Sequence, residues 1–152
     1  MKRILIVGGG IGGLTAALAL RHAGARVTLL EREAEFSPVG AGIVLAPNAI
    51  AILRQLGVDT SDGEQVRSMA LHTADGGLLQ RVDLTPWSES LGPAFAFHRG
   101  ELHRALLAAL PQEVEVRRGT ALVSLEETAE GVLARTAGEG AESFELVVGA
   151  DG

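Results

Sequence analysis

Residues 4–20 read ILIVGGGIGGLTAALAL, and this stretch decides the fold. Ile4 to Val7 is a short apolar run rich in β-branched side chains, the pattern of a strand buried on both faces of a parallel sheet. Five glycines follow at positions 8, 9, 10, 12 and 13. Leu14, Ala17 and Leu18, with Ala16 and Leu20, then recur at helical spacing as far as Arg21. Gly24 stands where a helix takes its C-terminal turn. RVTLLE, Arg26 to Glu31, reads as a second strand. Strand, turn, helix and strand within about 30 residues form a βαβ unit.

Gly8, Gly10 and Gly13 fit the spacing G-x-G-x-x-G. The first permits a tight turn out of the strand, the second lets backbone approach a diphosphate, and the third lets helix pack closely on strand. Ala17 is again small, one turn further along the same face. The helix N-terminus offers N–H groups and a partial positive charge to phosphates. Glu31 lies 21 positions after Gly10, at the end of the second strand. A carboxylate there accepts both hydroxyls of an adenosine ribose and repels a 2′-phosphate. Glycine is abundant, 20 of 152 residues, so the spacing alone is weak; the surrounding strand, helix, strand and acid make it an adenine-dinucleotide site. These residues leave NAD and FAD both open.

Composition bounds the rest. With 47% hydrophobic and 21% charged residues, the 152-residue chain is expected to be a soluble globular domain with a real core. A net charge of -6 with scattered lysine and arginine argues against a nucleic-acid partner. The absence of cysteine excludes disulfides and a thiol nucleophile and fits a reducing compartment. Met1-Lys2-Arg3 before an apolar stretch superficially suggests a signal peptide, but the glycines would interrupt its helix. No uninterrupted apolar run approaches the ~20 residues of a membrane span, so no membrane partner and a cytoplasmic location are expected.

Beyond Glu31, residues 32–48 form a long connection with two prolines, two glycines and an apolar segment from Ile43 to Leu45. Pro47-Asn48 opens a short helix, Ala49 to Leu56, stopped by Gly57. VRSMALHT and LLQRVDL flank ADGG, which predicts a β-hairpin. A loop holding Pro86, Trp87 and Pro93 leads to a helix from about Gly100 to Leu110, ended by Pro111. VEVRR, TALVSLEE, GVLARTA and FELVVGA are four short strand candidates. They suggest a β-meander that returns to a buried strand, Leu146 to Ala150.

Four stretches carry a family resemblance: IVGGGIGGLTAALALRHAGARVTLLER, PVGAGIVLAPNAIAILRQLGV, HRGELHRALLAAL and LVVGADG. In this order, across essentially the whole chain, the sequence resembles the FAD-dependent aromatic hydroxylases. These are the single-component flavoprotein monooxygenases that include salicylate and hydroxybenzoate hydroxylases. The resemblance implies an α/β, Rossmann-like FAD-binding domain of the glutathione-reductase type, with a β-meander crossover and an additional β-hairpin. It implies that residues 1–152 are the N-terminal portion of such a domain, truncated before the family's substrate sheet and C-terminal Gly-Asp motif.

The implied cofactor-binding residues are Gly8, Gly10, Ile11, Gly12, Gly13, Glu31, Arg32, Arg99 and Asp151. Glu31 would take the adenosine ribose with Arg32 near the same end, Arg99 would reach the diphosphate as a guanidinium fork, and Asp151 begins the Asp-Gly motif. The implied cofactors are FAD and, transiently, NAD(P)H; the implied activity inserts one atom of O2 into an activated aromatic ring. Because members continue well beyond the Asp-Gly motif, this portion alone is expected not to hydroxylate. No catalytic base can be named and no metal site is spaced correctly. His22, His72, His98 and His103 read as surface or structural residues. Two rivals stand beside this reading: an NAD-binding dehydrogenase domain and a non-catalytic remnant. Substrate and oligomeric state are not specified by the sequence.

Overall fold

A computed structural model describes residues 1–36, 41–138 and 140–152. In chain order the elements are β1 (Arg3–Val7), α1 (Ile11–His22), β2 (Arg26–Glu31), β3 (Gly42–Leu45), α2 (Pro47–Gln55), β4 (Glu64–Val66), β5 (Ser68–His72) and β6 (Leu78–Asp83). There follow α3 (Thr85–Leu91), β7 (Ala94–His98), α4 (Arg99–Ala109), β8 (Glu115–Arg118), β9 (Leu122–Thr128), β10 (Gly131–Thr136), β11 (Gly140–Phe144) and β12 (Leu146–Gly149). The chain divides into two compact units, residues 1–37 with 106–152, and residues 38–105.

The first unit is built on a four-stranded sheet of order β12-β1-β2-β8, parallel throughout. Its central strands behave as their apolar runs require: Ile4, Leu5, Ile6, Val27, Leu29 and Leu30 are buried. A parallel pair cannot be joined by a tight turn, so α1 crosses between β1 and β2 and buries Gly13, Leu14, Ala17 and Leu18. An antiparallel meander, order β11-β10-β9, contributes Ala134 and Phe144 to a core cluster with Leu5 and Leu30.

A charged network ties the meander to the sheet. Arg117 on β8 donates to Glu115 at 2.9 Å and to Glu142 on β11 at 2.6 Å, while Arg3 on β1 donates to Glu142 at 2.9 Å. Thr28 on β2 donates to Glu115 at 3.1 Å. Hydrogen bonds from Arg117, ahead of its charge, hold both Glu115 and Glu142 below the usual carboxylate range. The folded state therefore favours the ionised acids. Their contribution is complete above the ordinary glutamate value and is lost as pH falls through the lowered folded values. Acidification from about pH 5 to pH 3 is expected to lower the denaturant midpoint, and Arg117→Met to flatten that dependence at a cost near neutrality of about 1 kcal/mol after solvent screening. Urea unfolding as a function of pH measures both.

The second unit holds an antiparallel sheet, order β3-β7-β4, and the separate hairpin β5–β6. Helix α2 buries Ile50 and Leu53, and Phe97 on β7 is also buried. The Arg54 guanidinium stands 5.4 Å from the centre of the Phe95 ring and donates to Thr60 at 3.0 Å.

Several elements differ from the sequence reading. The loop around Pro86 and Trp87 is helix α3, because proline suits the first helical turn where its missing N–H costs nothing. Ala94–His98, unassigned by the sequence, is the central strand of the three-stranded sheet, with β3 and β4 as its partners. The VEVRR strand leaves the meander and extends the parallel sheet beside β2. FELVVGA divides at Glu145: β11 ends at Phe144, whose ring enters the core cluster, and β12 pairs with β1. The expected buried strand Leu146 to Ala150 is instead a sheet edge, with Leu146 46% exposed. Ser37, the first three residues of the PVGAGIVLAPNAIAILRQLGV stretch (Pro38, Val39 and Gly40) and Glu139 lie outside the described residues.

Candidate functional site

The glycine loop is shaped by contacts from the far end of the chain. Gly8 has φ +110°, a conformation that side chains disfavour, and an added Cβ there would come within 2.6 Å of the Ala150 carbonyl carbon and 2.9 Å of the Asp151 Cα. An added Cβ on Gly13 would overlap the Gly8 carbonyl oxygen. The loop is pinned from both sides, by the Gly8 N–H donating to Leu30 at 2.8 Å and the Ala150 N–H donating to Val7 at 2.7 Å. Asp151 follows directly, so β12 delivers the Asp-Gly pair to the same turn as Gly8.

Gly10 and Gly12 differ. Among the described residues, a Cβ added at either meets nothing within 4 Å. Gly10, at φ -73°, is the N-cap of α1 and carries no side chain to cap it. Ile11, Gly12 and Gly13 are the first three residues of the helix, and no acidic residue stands in this turn. The first N–H groups of a helix have no partner within it. The turn therefore combines open space beside Gly10 with a donor set that suits an anion.

Glu31 lies across the base of this turn. One carboxylate oxygen accepts the Gly9 N–H at 2.9 Å, and the other accepts the Glu33 N–H at 2.9 Å. A carboxylate has about four acceptor positions, so capacity remains for two hydroxyl donors. Arg32 is exposed and turned toward Glu33, with Nε 3.4 Å from its carboxylate.

The structure thus brings together Gly8, Gly10, Ile11, Gly12, Gly13, Glu31, Arg32 and Asp151 in one compact unit. Arg99 belongs to the other unit, as the exposed first residue of α4, where its N–H donates to Ala41 at 3.3 Å. Next to it, Nδ1 of His98 accepts the Gly100 N–H at 3.3 Å. Nδ1 of His22 lies 3.0 Å from the Leu18 carbonyl and that of His72 3.1 Å from the Gly76 carbonyl, positions consistent with structural roles. Among the described residues no group of histidine and carboxylate side chains could hold a metal, and no helix is long and apolar enough to cross a membrane.

Sequence reasoning missed Gly9, treating it as a free position of the glycine spacing. An added Cβ there would lie 2.6 Å from the Phe36 ring and 3.0 Å from the Glu31 carboxylate. Phe36 itself has no recognisable signal in a polar, acidic stretch.

A family model described as FAD binding domain matches residues 1–152. The chain is 41% identical over 156 residues to 3-amino-4-hydroxybenzoate 2-monooxygenase PtmB3 of Streptomyces platensis, covering 99% of this chain and 39% of that protein. It is 33% identical to 6-hydroxynicotinate 3-monooxygenase of Pseudomonas fluorescens, covering 99% of this chain and 40% of the relative. The structure of Klebsiella pneumoniae HpxO complexed with FAD and uric acid superposes with a TM-score of 0.85 at 29% identity, over 99% of this chain and 39% of that one. The chain therefore spans about two fifths of the length of these relatives.

Proposed function

The chain belongs to the FAD-binding-domain family, and from that premise we propose that Glu31 holds the adenosine ribose of FAD while the Gly10 turn holds its diphosphate. The observation that carries this reading is the open space beside Gly10 and Gly12, at a helix start without a capping side chain and beside a carboxylate with acceptor capacity to spare. A purely structural turn has no need of glycine where a methyl group meets nothing.

When bound, FAD supplies the redox chemistry, hydride uptake from NAD(P)H and activation of O2; the chain binds and orients. The N–H groups of Ile11, Gly12 and Gly13 face the phosphates, and the α1 dipole adds partial positive charge. Glu31 accepts the two ribose hydroxyls, with Arg32 at the same end. By the family resemblance, Arg99 would offer the diphosphate a guanidinium fork, a geometry suited to phosphate oxygens. Asp151, delivered beside Gly8, contacts the cofactor. Residues 1–152 act as the FAD-binding portion. With the further portion that the relatives carry, the activity is NAD(P)H-dependent oxygenation of an aromatic ring, in the cytoplasm where reduced nicotinamide nucleotides are held.

Flavin titration tests this directly. The purified chain is expected to quench FAD fluorescence on binding and to show no comparable affinity for NAD⁺. Glu31→Gln, which keeps the shape and removes the charge, is expected to weaken FAD about tenfold, and Arg99→Ala by a similar factor. Tight NAD⁺ binding without FAD binding would move the reading to a dehydrogenase domain.

A further inference from the structure

Residues 32–36 leave β2 and fold back over the glycine loop. Two backbone bonds hold this return: the Gly119 N–H donates to Glu33 at 3.1 Å, and the Thr120 N–H donates to Glu31 at 3.0 Å. At its end the half-buried Phe36 ring rests on the Cα of Gly9, close enough that a methyl group at Gly9 would come within 2.6 Å of it. The same methyl group would lie 3.0 Å from the Glu31 carboxylate, so ring, glycine and acid form one three-way contact. Arg118 stands opposite Glu31 in the β2–β8 register, and its guanidinium lies 6.0 Å from the centre of the Phe36 ring. This is within reach of a cation–π attraction that holds the ring in place.

We propose that Phe36 is the positioning residue of the ribose anchor: seated on Gly9 beneath Arg118, it shields the Glu31–Gly9 hydrogen bond from water and fixes the carboxylate for the cofactor's two hydroxyls. The inference rests on the FAD reading for its consequence, though its mechanism concerns the chain alone. A glutamate at a strand end has three side-chain torsions and ordinarily samples several rotamers. Here the Gly9 and Glu33 N–H groups select one, and an apolar ring beside the first bond strengthens it by excluding the competing water. Preorganisation of this kind improves affinity by removing the cost of ordering the side chain on binding.

Two measurements on the full chain test the proposal. In the cofactor-free protein, the Gly9 amide proton, deshielded by the carboxylate, is expected to move upfield in Glu31→Gln and also in Phe36→Ala, while Phe36→Leu retains most of the wild-type position. In FAD titrations, Phe36→Ala is expected to weaken binding about fivefold in the wild-type background and not at all in the Glu31→Gln background, since coupled residues are not additive. An unmoved Gly9 amide in Phe36→Ala, or an equal loss in both backgrounds, overturns the proposal and leaves Phe36 as a packing residue. If the amide moves in both variants but the wild-type chain takes up no FAD, the positioning role stands and the cofactor reading falls.

Discussion

Gly13→Ala is expected to destabilise the chain by about 3 kcal/mol or more, because the new methyl group collides with the loop backbone at Gly8. The atom it meets is the Gly8 carbonyl oxygen, and the Gly8 carbonyl carbon lies only 3.0 Å away. Neither can rotate aside as a side chain would. Gly8 is held by its N–H bond to Leu30, and the Leu14 N–H ties the helix start to Gly10 at 2.9 Å. Relief requires α1 to lift off β1, which would uncover the fully buried Leu14, Ala17 and Leu18. For a domain of this size the loss corresponds to a fall in Tm of roughly 10 °C. Gly12→Ala is the control: it meets nothing, and alanine is favoured over glycine inside a helix by about 1 kcal/mol, so its Tm should rise or hold. Thermal melts followed by circular dichroism distinguish the two, and a Gly13→Ala melt like that of the wild type would show that the close approach is absent.

Gly10→Ala is expected to do the reverse, leaving stability within about 0.5 kcal/mol while lowering FAD affinity about 100-fold. Its φ of -73° suits any residue, and among the described residues nothing lies within 4 Å of the added carbon. The methyl group would instead fill the space through which the backbone approaches a diphosphate. A variant that melts like the wild type yet fails to quench FAD fluorescence separates a ligand requirement from a folding requirement at a single carbon. Unaltered FAD affinity in a folded Gly10→Ala protein would mean that the phosphates lie elsewhere.

Taken together, these expectations divide the glycine cluster by physical cause. Gly8 and Gly13 are glycine for the protein's own backbone and Gly9 for Phe36 and Glu31, while no described atom of the chain demands glycine at positions 10 and 12. The spacing G-x-G-x-x-G names three of these positions without saying which cause applies to which.

The sequence by itself determined the elements whose signal is local. The buried run Ile4 to Val7, the helical recurrence of Leu14, Ala17 and Leu18, and the Arg26 to Glu31 strand lie within one short span, and each matches an observed element. The ADGG hairpin was legible for the same reason: turn chemistry and strand propensity act between neighbours. Glu31 was legible because a fixed distance along a βαβ unit fixes its place at a strand end.

Only the tertiary structure decided what depends on segments distant in sequence. That VEVRR joins the parallel sheet, and that FELVVGA breaks at Glu145, follows from where Glu31 offers a partner to Arg118 and where Phe144 finds the core. No periodicity in either stretch encodes those partners. Phe36 lies among polar residues, and its seat on Gly9 follows a chain return that Gly119 and Thr120, just after β8, bond at Glu33 and Glu31. The demand for glycine at position 8 comes from Ala150 and Asp151, at the opposite end of the sequence. Local patterns specify which elements form; steric exclusion between elements, set by packing, decides which side chains the site permits.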